Sequence, residues 1–235
     1  MDLTTPENTA GTTPDTEPGT TPENAAGTTP DTEPATTSAT EPGSVPLNVA
    51  VILASNREGR FAPVVADWFR SRTDAHPGIG TDLVDVAALD LPTALSYRPG
   101  PEDRALLADV SARLAAADAF VVITPEYNHS YPAPLKNLID WHHAEWQAKP
   151  VAFVSYGGVS GGLRAVEHLR QVFAELHAVS IRDTVSFHNA GALFDDEGRH
   201  RDPAGPDAAA KTLLDQLVWW GRALRDAKEV HPYGG

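Results

Sequence analysis

ITPEYNHSYPAPLKNLIDW, Ile123 to Trp141, decides how this chain folds. An apolar, strand-like run ends abruptly in Pro-Glu-Tyr-Asn, and a stretch of helical character opens a few residues later. A strand end that offers a proline, an acid, an aromatic ring and an amide together makes a ligand edge. The sequence on either side shows which architecture it belongs to.

From Leu47 onward, short apolar runs alternate with amphipathic stretches of helical length. LNVAVILA (Leu47 to Ala54) is a first strand, and Ala62 to Thr73 a helix with Pro63 in its first turn, where a missing N–H costs nothing. DLVDV (Asp82 to Val86) is a short second strand, followed by the proline-punctuated loop LDLPTALSYRPGPE and a helix from Asp103 to Ala116. DAFVVIT (Asp118 to Thr124) is the third strand, Pro134 to about Glu145 a helix, and PVAFVSY (Pro150 to Tyr156) the fourth strand. Leu163, Val166, Leu169, Phe173 and Leu176 recur at steps of three and four, which gives a helix from about Gly162 to His177 one apolar face. Val179 to Phe187 is the fifth strand; a polar loop, Asn189 to Pro206, leads to a last helix with the face Leu213, Leu217, Trp220 and Leu224.

Strands alternating with helices imply an α/β fold, a parallel sheet covered on both faces. In a doubly wound five-stranded sheet of order 2-1-3-4-5, ligands sit outside the carboxyl ends of the strands, between the first and third. The two most unusual loops follow those two strands. SNREGRF (Ser55 to Phe61) runs directly into a helix, whose unpaired N–H groups and positive dipole end favour a phosphate. Ser55 can donate a hydroxyl, and Arg57 and Arg60 can make charge-assisted hydrogen bonds. Composition alone is equally compatible with a solvated loop. The fingerprints GxxxxGK[ST] and GxGxxG are both absent. After the fourth strand comes SYGGVSGG (Ser155 to Gly162), where glycines let a backbone approach a flat ligand closely.

TPEYN, followed by Ser-x-Pro and LKN, resembles the flavin-binding hallmark of the NAD(P)H-dependent FMN reductases of flavodoxin-like fold, a family that includes quinone, azo-dye and chromate reductases. The first loop is similar to that family's GSxRxxSxN phosphate loop: Ser55 and Arg57 match, while Ala54, Arg60 and Ala62 depart from it, although some members read GSTREGRFGP here. The resemblance implies that Ser55, Arg57, Arg60, Phe61 and Ala62 hold the flavin phosphate. It places Pro125, Glu126, Tyr127 and Asn128 along the ribityl chain and the ring edge, with Tyr127 helping to wall the ring. Ser155, Tyr156, Gly157, Gly158 and Ser160 then meet the pyrimidine edge. The family's glycine pair before a helix carrying a Leu-Arg pair is answered by Gly161, Gly162, Leu169 and Arg170.

FMN is the implied cofactor and NADPH or NADH the implied reductant, with a flavin, a quinone or another small oxidant as electron acceptor. No catalytic side chain is expected, because the flavin carries the hydride chemistry; GxSxG, HExxH and carboxylate pairs of distinctive spacing are absent. Arg98, Arg104 and Arg182 can meet the 2′-phosphate of NADPH, or lie on the surface. A flavodoxin-like electron carrier, and a flavin-binding interaction protein without turnover, are the competing readings.

His129, His142, His143 and Glu145 suggest a metal only superficially, because adjacent histidines on a helix point about 100° apart. The resemblance places the LKN helix at a dimer interface, where Trp141, Trp146 and the histidines pack against a second subunit of a homodimer or dimer of dimers. LFDDEGRHRD (Leu193 to Asp202) lacks the spacing of a calcium loop and reads as a hairpin-like insert.

The 235 residues carry a net charge of −14. Eight acids and no base fall in residues 1–44, where TTPENTAGTTPDTEPG (Thr4 to Gly19) returns as TTPENAAGTTPDTEPA (Thr20 to Ala35). Such Thr- and Pro-rich text buries too little apolar surface to offset its backbone entropy, so residues 1–44 are expected to be a disordered acidic tail and 45–235 the folded domain. An acidic chain without a basic stripe argues against nucleic acid. The chain has no cysteine, so disulfides and thiolate chemistry are excluded. The sequence contains neither a membrane-length apolar run nor signal-peptide features, so a cytoplasmic protein is expected.

Overall fold

The computed structural model describes residues 45–234. The tail and repeat read from residues 1–44 lie outside the described residues. Five strands, β1 (Leu47–Leu53), β2 (Ile79–Asp85), β3 (Ala119–Pro125), β4 (Pro150–Tyr156) and β5 (Val179–Phe187), form one sheet of order β2-β1-β3-β4-β5. All four pairings are parallel. β3 and β4 are buried along their whole length, as strands covered on both faces must be.

One core lies under α1 (Ala62–Asp74) and α6 (Ala204–Val230), with Trp68, Phe69, Phe187, Leu213 and Leu217 at its centre. The other lies under α2 (Pro101–Ala116), α3 (Ala133–Trp141) and α4 (Leu163–Glu175), around Phe120, Trp146, Phe153 and Phe173. Gly221 lets α6 lie directly on β1, since a Cβ there would come 2.5 Å from Leu47 Cδ1.

Three elements differ from expectation for local reasons. β2 starts at Ile79, because its pairing with β1 extends to Leu47; as an edge strand with exposed Gly80 and Thr81, its first half lacks an apolar signature. The helix expected to reach Glu145 stops at Trp141; His142 is extended, and a 3₁₀ turn at Ala144–Trp146 tucks Trp146 against Phe120 and Phe173. The loop 189–206 contains the short α5 (Ala190–Leu193) and the antiparallel bridge Phe194–His200.

Of the side chains assigned to a subunit interface, two are buried in the chain's own core and Trp141 is tied to the β2–α2 loop, while His129 and His143 are exposed. Trp146 is fully buried, His142 is 4% exposed with Nδ1 2.8 Å from Leu138 O, and Trp141 Nε1 donates to Pro92 O at 2.8 Å.

Candidate functional site

The β1–α1 loop continues the sheet for one residue, Ala54 N–H donating to Ile123 O at 3.0 Å, and then turns away. Ser55 is buried, and its Oγ and the Tyr127 hydroxyl share a hydrogen bond of 2.7 Å that ties this loop to the turn after β3. The N–H groups of Asn56, Glu58, Gly59, Phe61 and Ala62 carry no hydrogen bond among the described residues, and no side chain caps α1. Five free donors at a helix N-terminus form an anion receptor.

The two arginines of this loop divide their roles. Arg60 makes a bidentate ion pair with Asp85 at the end of β2 and donates from Nη1 to Ser55 O at 2.7 Å. Burial alone would push the Asp85 carboxyl up; the Arg60 pair and the Ala87 N–H outweigh it and hold it below the usual carboxylate range. Arg60 therefore shapes the loop, and its side chain is not free to clasp a phosphate. The Arg57 guanidinium is exposed and unpartnered among the described residues, which makes it the side-chain cation available to a ligand.

β3 ends at Pro125, and Tyr127 and Ser130 exchange backbone hydrogen bonds of 2.8 and 3.1 Å around Asn128 and His129. Both intervening residues have positive φ, 48° and 75°, so this is a two-residue hairpin turn held without glycine. Such backbone costs free energy and persists only where the surroundings fix it. Glu126 does the fixing. Its side chain, 5% exposed, pairs with Arg164 at 2.6 Å and accepts the Arg164 N–H at 3.2 Å. Burial works against its ionisation, but the Ser160 hydroxyl and Arg164 prevail and keep its pKa below the ordinary value. Glu126 thus fastens the β3 turn to the first turn of α4.

In the β4–α4 loop, Ser155 Oγ and Ser186 Oγ both donate to Gly161 O at 2.8 Å. Gly161 and Gly162 have φ of +60° and +85°; a Cβ would meet Ser186 Oγ at 2.6 Å and Ser155 Cβ at 2.7 Å respectively. These two glycines are required by the fold of the loop. Gly157 N–H is taken by Phe187 O. The N–H groups of Gly158, Val159 and Ser160 are without partners among the described residues, and Gly158 faces open space.

The β1–α1 loop, the turn after β3 and the last residue of β4 meet at a cavity of about 320 Å³ lined by Ser55, Arg57, Arg60, Phe61, Pro125, Tyr127 and Tyr156. Tyr156 is 5% exposed, packs beside Phe61 with ring centroids 6.1 Å apart, and has a hydroxyl that lies near Ser55 without a hydrogen bond of acceptable geometry, the Ser55 hydroxyl being engaged with Tyr127. Burial and the neighbouring Tyr127 push that phenol's pKa up and outweigh the opposing effects of Ser55 and Arg60, so it stays a neutral donor. A buried orphan hydroxyl costs free energy unless a ligand satisfies it. The phenol, Arg57 and the free N–H groups are hydrogen-bond donors of the kind a phosphorylated flavin requires. Ser155, Glu126 and Gly157 stand behind this site as supports, their polar groups already engaged. A larger cavity of about 650 Å³ between α1 and α6 carries no such chemistry: Arg72 pairs with Asp207, and His76 and Lys211 with Asp215.

Two residues of the site escaped sequence reasoning. Asp85 gave only the signal of an acid at a strand end. The Leu-Arg pair that matters is Leu163–Arg164, directly after the glycines, whereas Arg170 donates to Ile181 O and Arg182 O on β5. Within LKN, Asn137 turns from the cavity and donates to Leu91 O at 3.2 Å, holding the β2–α2 loop.

Known proteins share the sequence pattern and the fold of this chain. The sequence profile described as NADPH-dependent FMN reductase matches residues 47–192. An NAD(P)H-dependent FMN reductase of Schizosaccharomyces pombe is 36% identical over 48% of this chain, and the match spans 60% of that relative. A quinone reductase of Pseudomonas putida is 30% identical over 76% of this chain and 96% of its own length. Among solved structures, the flavoenzyme NAD(P)H:(acceptor) oxidoreductase FerB of Paracoccus denitrificans shares the fold, with a TM-score of 0.61 at 24% identity over 75% of this chain and 98% of its own. The chain belongs to the NADPH-dependent FMN reductase family, and with it to the FMN-dependent NAD(P)H oxidoreductases. No helix among the described residues is long and apolar enough to cross a membrane.

Proposed function

We propose that the protein passes electrons from NAD(P)H by way of FMN to a quinone, working as a homodimer, and that residues 45–235 carry this activity without the tail. When bound, FMN supplies the two-electron chemistry, taking hydride from the nicotinamide and yielding it to the acceptor. The chain's own residues bind and orient. Arg57, the phenol of Tyr156 and the α1 N-terminus hold the phosphate; Tyr127, positioned by Ser55, walls the ring; the N–H groups of Gly158 and Ser160 meet its acceptor edge.

The observation that carries this reading is the orphaned Tyr156 hydroxyl beside the unpaired Arg57, where the ends of β1, β3 and β4 converge. Quinone as acceptor is supported by the names of several relatives, including a protein of Oryza sativa named "Probable NADPH:quinone oxidoreductase 2" and the NADPH:quinone oxidoreductase of Arabidopsis thaliana. Exposed Trp219 and Trp220 of α6, ring centroids 5.0 Å apart, leave apolar surface of the kind a second subunit covers. The test is steady-state NAD(P)H oxidation with benzoquinone, azo-dye and FMN acceptors, alongside sedimentation of the holoprotein. Quinone turnover above that of the other acceptors, by a dimer, is expected; preferred transfer to free FMN, or a monomer, overturns those parts of the proposal.

A further inference from the structure

The β2–α2 loop, residues 89–100, has a rigid base and an open tip. Asn137 donates to Leu91 O and Trp141 to Pro92 O, so its first half is fastened to α3. Beyond Thr93 the side chains stand clear: Leu95 is 58% exposed, and Tyr97 has its whole ring in solvent. Arg98 follows immediately, its backbone N–H bonded to Ser96 Oγ at 3.0 Å, and Arg104 lies in the first turn of α2 with Nη2 donating to Pro99 O at 3.1 Å. Neither guanidinium has an acidic partner among the described residues, although Glu102 and Asp103 lie between them in sequence. Arg182, the third arginine of interest, pairs with Asp183 at 2.8 Å and drops out.

The same loop walls a cavity of about 510 Å³ that begins at Asn56, in the phosphate loop, and runs past Leu91 to Thr93 between the loop and the start of α3. The cavity thus joins the flavin end of the molecule to the root of the open tip. Its charged lining includes Asp90 and Lys136, the latter paired with Asp140 at 2.6 Å, which leaves the passage itself without excess positive charge. At the tip Arg98 and Arg104 stand against Glu102 and Asp103, with neither guanidinium in an ion pair among the described residues. Two guanidiniums without ion-pair partners, one next to a bare aromatic ring in sequence and the other bonded to Pro99 O, are donors available to an anion at this tip. A guanidinium binds a phosphate with charge-assisted hydrogen bonds, and an exposed tyrosine ring offers a face on which a purine stacks.

We propose that Tyr97, Arg98 and Arg104 form the subsite for the adenosine 2′-phosphate of NADPH, making the enzyme selective for NADPH over NADH. The inference rests on the reductase reading above. Tyr97 stacks on the adenine, Arg98 and Arg104 hold the 2′-phosphate, and Asn137 with Trp141 keeps the tip in place. NADH, lacking that phosphate, gains only the stacking contact.

Two measurements on the FMN-loaded full chain test it. Calorimetry with adenosine 2′,5′-bisphosphate and with AMP reads the subsite without turnover: the wild type is expected to bind the bisphosphate at least tenfold more tightly, and R98A/R104A to bind the two alike. Steady-state kinetics is expected to give the wild type a lower KM for NADPH than for NADH, and the double variant a KM for NADPH raised at least tenfold with that for NADH as reference. Y97A should weaken binding of both mononucleotides. Equal affinity of the wild type for bisphosphate and AMP, or discrimination that survives in R98A/R104A, overturns the subsite. If discrimination between the mononucleotides holds while neither dinucleotide is oxidised, the subsite stands and the reductase reading falls.

Discussion

Replacing Arg57 and Arg60 separately distinguishes a residue that binds the cofactor from one that builds its site. In Arg57→Ala, an exposed and unpartnered guanidinium is removed, so the fold loses nothing. The phosphate loses one charge-assisted hydrogen bond, worth about 1.5–3 kcal/mol, or roughly ten- to a hundredfold in Kd for FMN. Riboflavin, which lacks the phosphate, should bind as it does to the wild type. In Arg60→Ala, the Asp85 carboxylate is left without its bidentate partner and Ser55 O without its donor. Both side chains retain about a fifth of their exposure, so solvent screens much of the loss, and destabilisation of about 1 kcal/mol follows, well below that of a fully buried pair. The loop slackens and FMN affinity falls indirectly. Flavin-fluorescence titration of apoprotein with FMN and with riboflavin reads the first effect, and thermal unfolding of apoprotein reads the second. The division of roles is refuted if Arg57→Ala keeps the wild-type ratio of FMN to riboflavin affinity while Arg60→Ala abolishes it without any loss of stability.

Glu126→Gln keeps an acceptor for the Arg164 N–H but loses the ion pair, so FMN affinity should fall several-fold; unchanged cofactor binding would show that the link to α4 has no part in the site. Because the folded pKa of Glu126 lies below its ordinary value, its stabilising effect is present above that value and fades as pH falls through the folded pKa; acid titration should therefore erase the difference between wild type and Glu126→Gln. Gly161→Ala puts a Cβ within 2.7 Å of the His188 ring at φ +60°, and a loss of roughly 2 kcal/mol in chemical denaturation is expected. Buried Lys149, which donates to Leu114 O and Ala115 O, has its pKa lowered to about 8, mainly by desolvation and then by Lys228. Its folded pKa lies below the unfolded value, so protonation favours unfolding; raising pH from 8 to 10.5 should stabilise wild type relative to Lys149→Met by up to roughly 3 kcal/mol, and parallel pH profiles would contradict this.

Sheet order and the positions of the site loops were legible because they follow from one pattern. Fully apolar strands such as Phe120 to Ile123 can only be central, and the unusual loops then fall at the switch point. What the sequence concealed was the direction in which polar side chains turn. Arg57 and Arg60 are three residues apart and chemically identical, yet Asp85, on a different strand, claims only one of them. Glu126 reads like a ligand group in PEYN, but the partner that redirects it, Arg164, lies beyond another strand. The resemblance placed Trp146 and His142 at an interface, but the backbone becomes extended at His142 and returns the indole to the core. Local pattern fixes which elements exist, and long-range pairing decides which groups remain free for a ligand.

The central claim, that these three loops hold FMN for reduction by a nicotinamide nucleotide, is tested most directly by anaerobic mixing of the purified flavin-loaded protein with NADPH while its visible absorbance is recorded. The account predicts a yellow protein that releases FMN on denaturation and bleaches rapidly when NADPH is added. A protein that cannot be loaded with FMN, or whose bound FMN keeps its colour in the presence of NADPH and NADH, would contradict it.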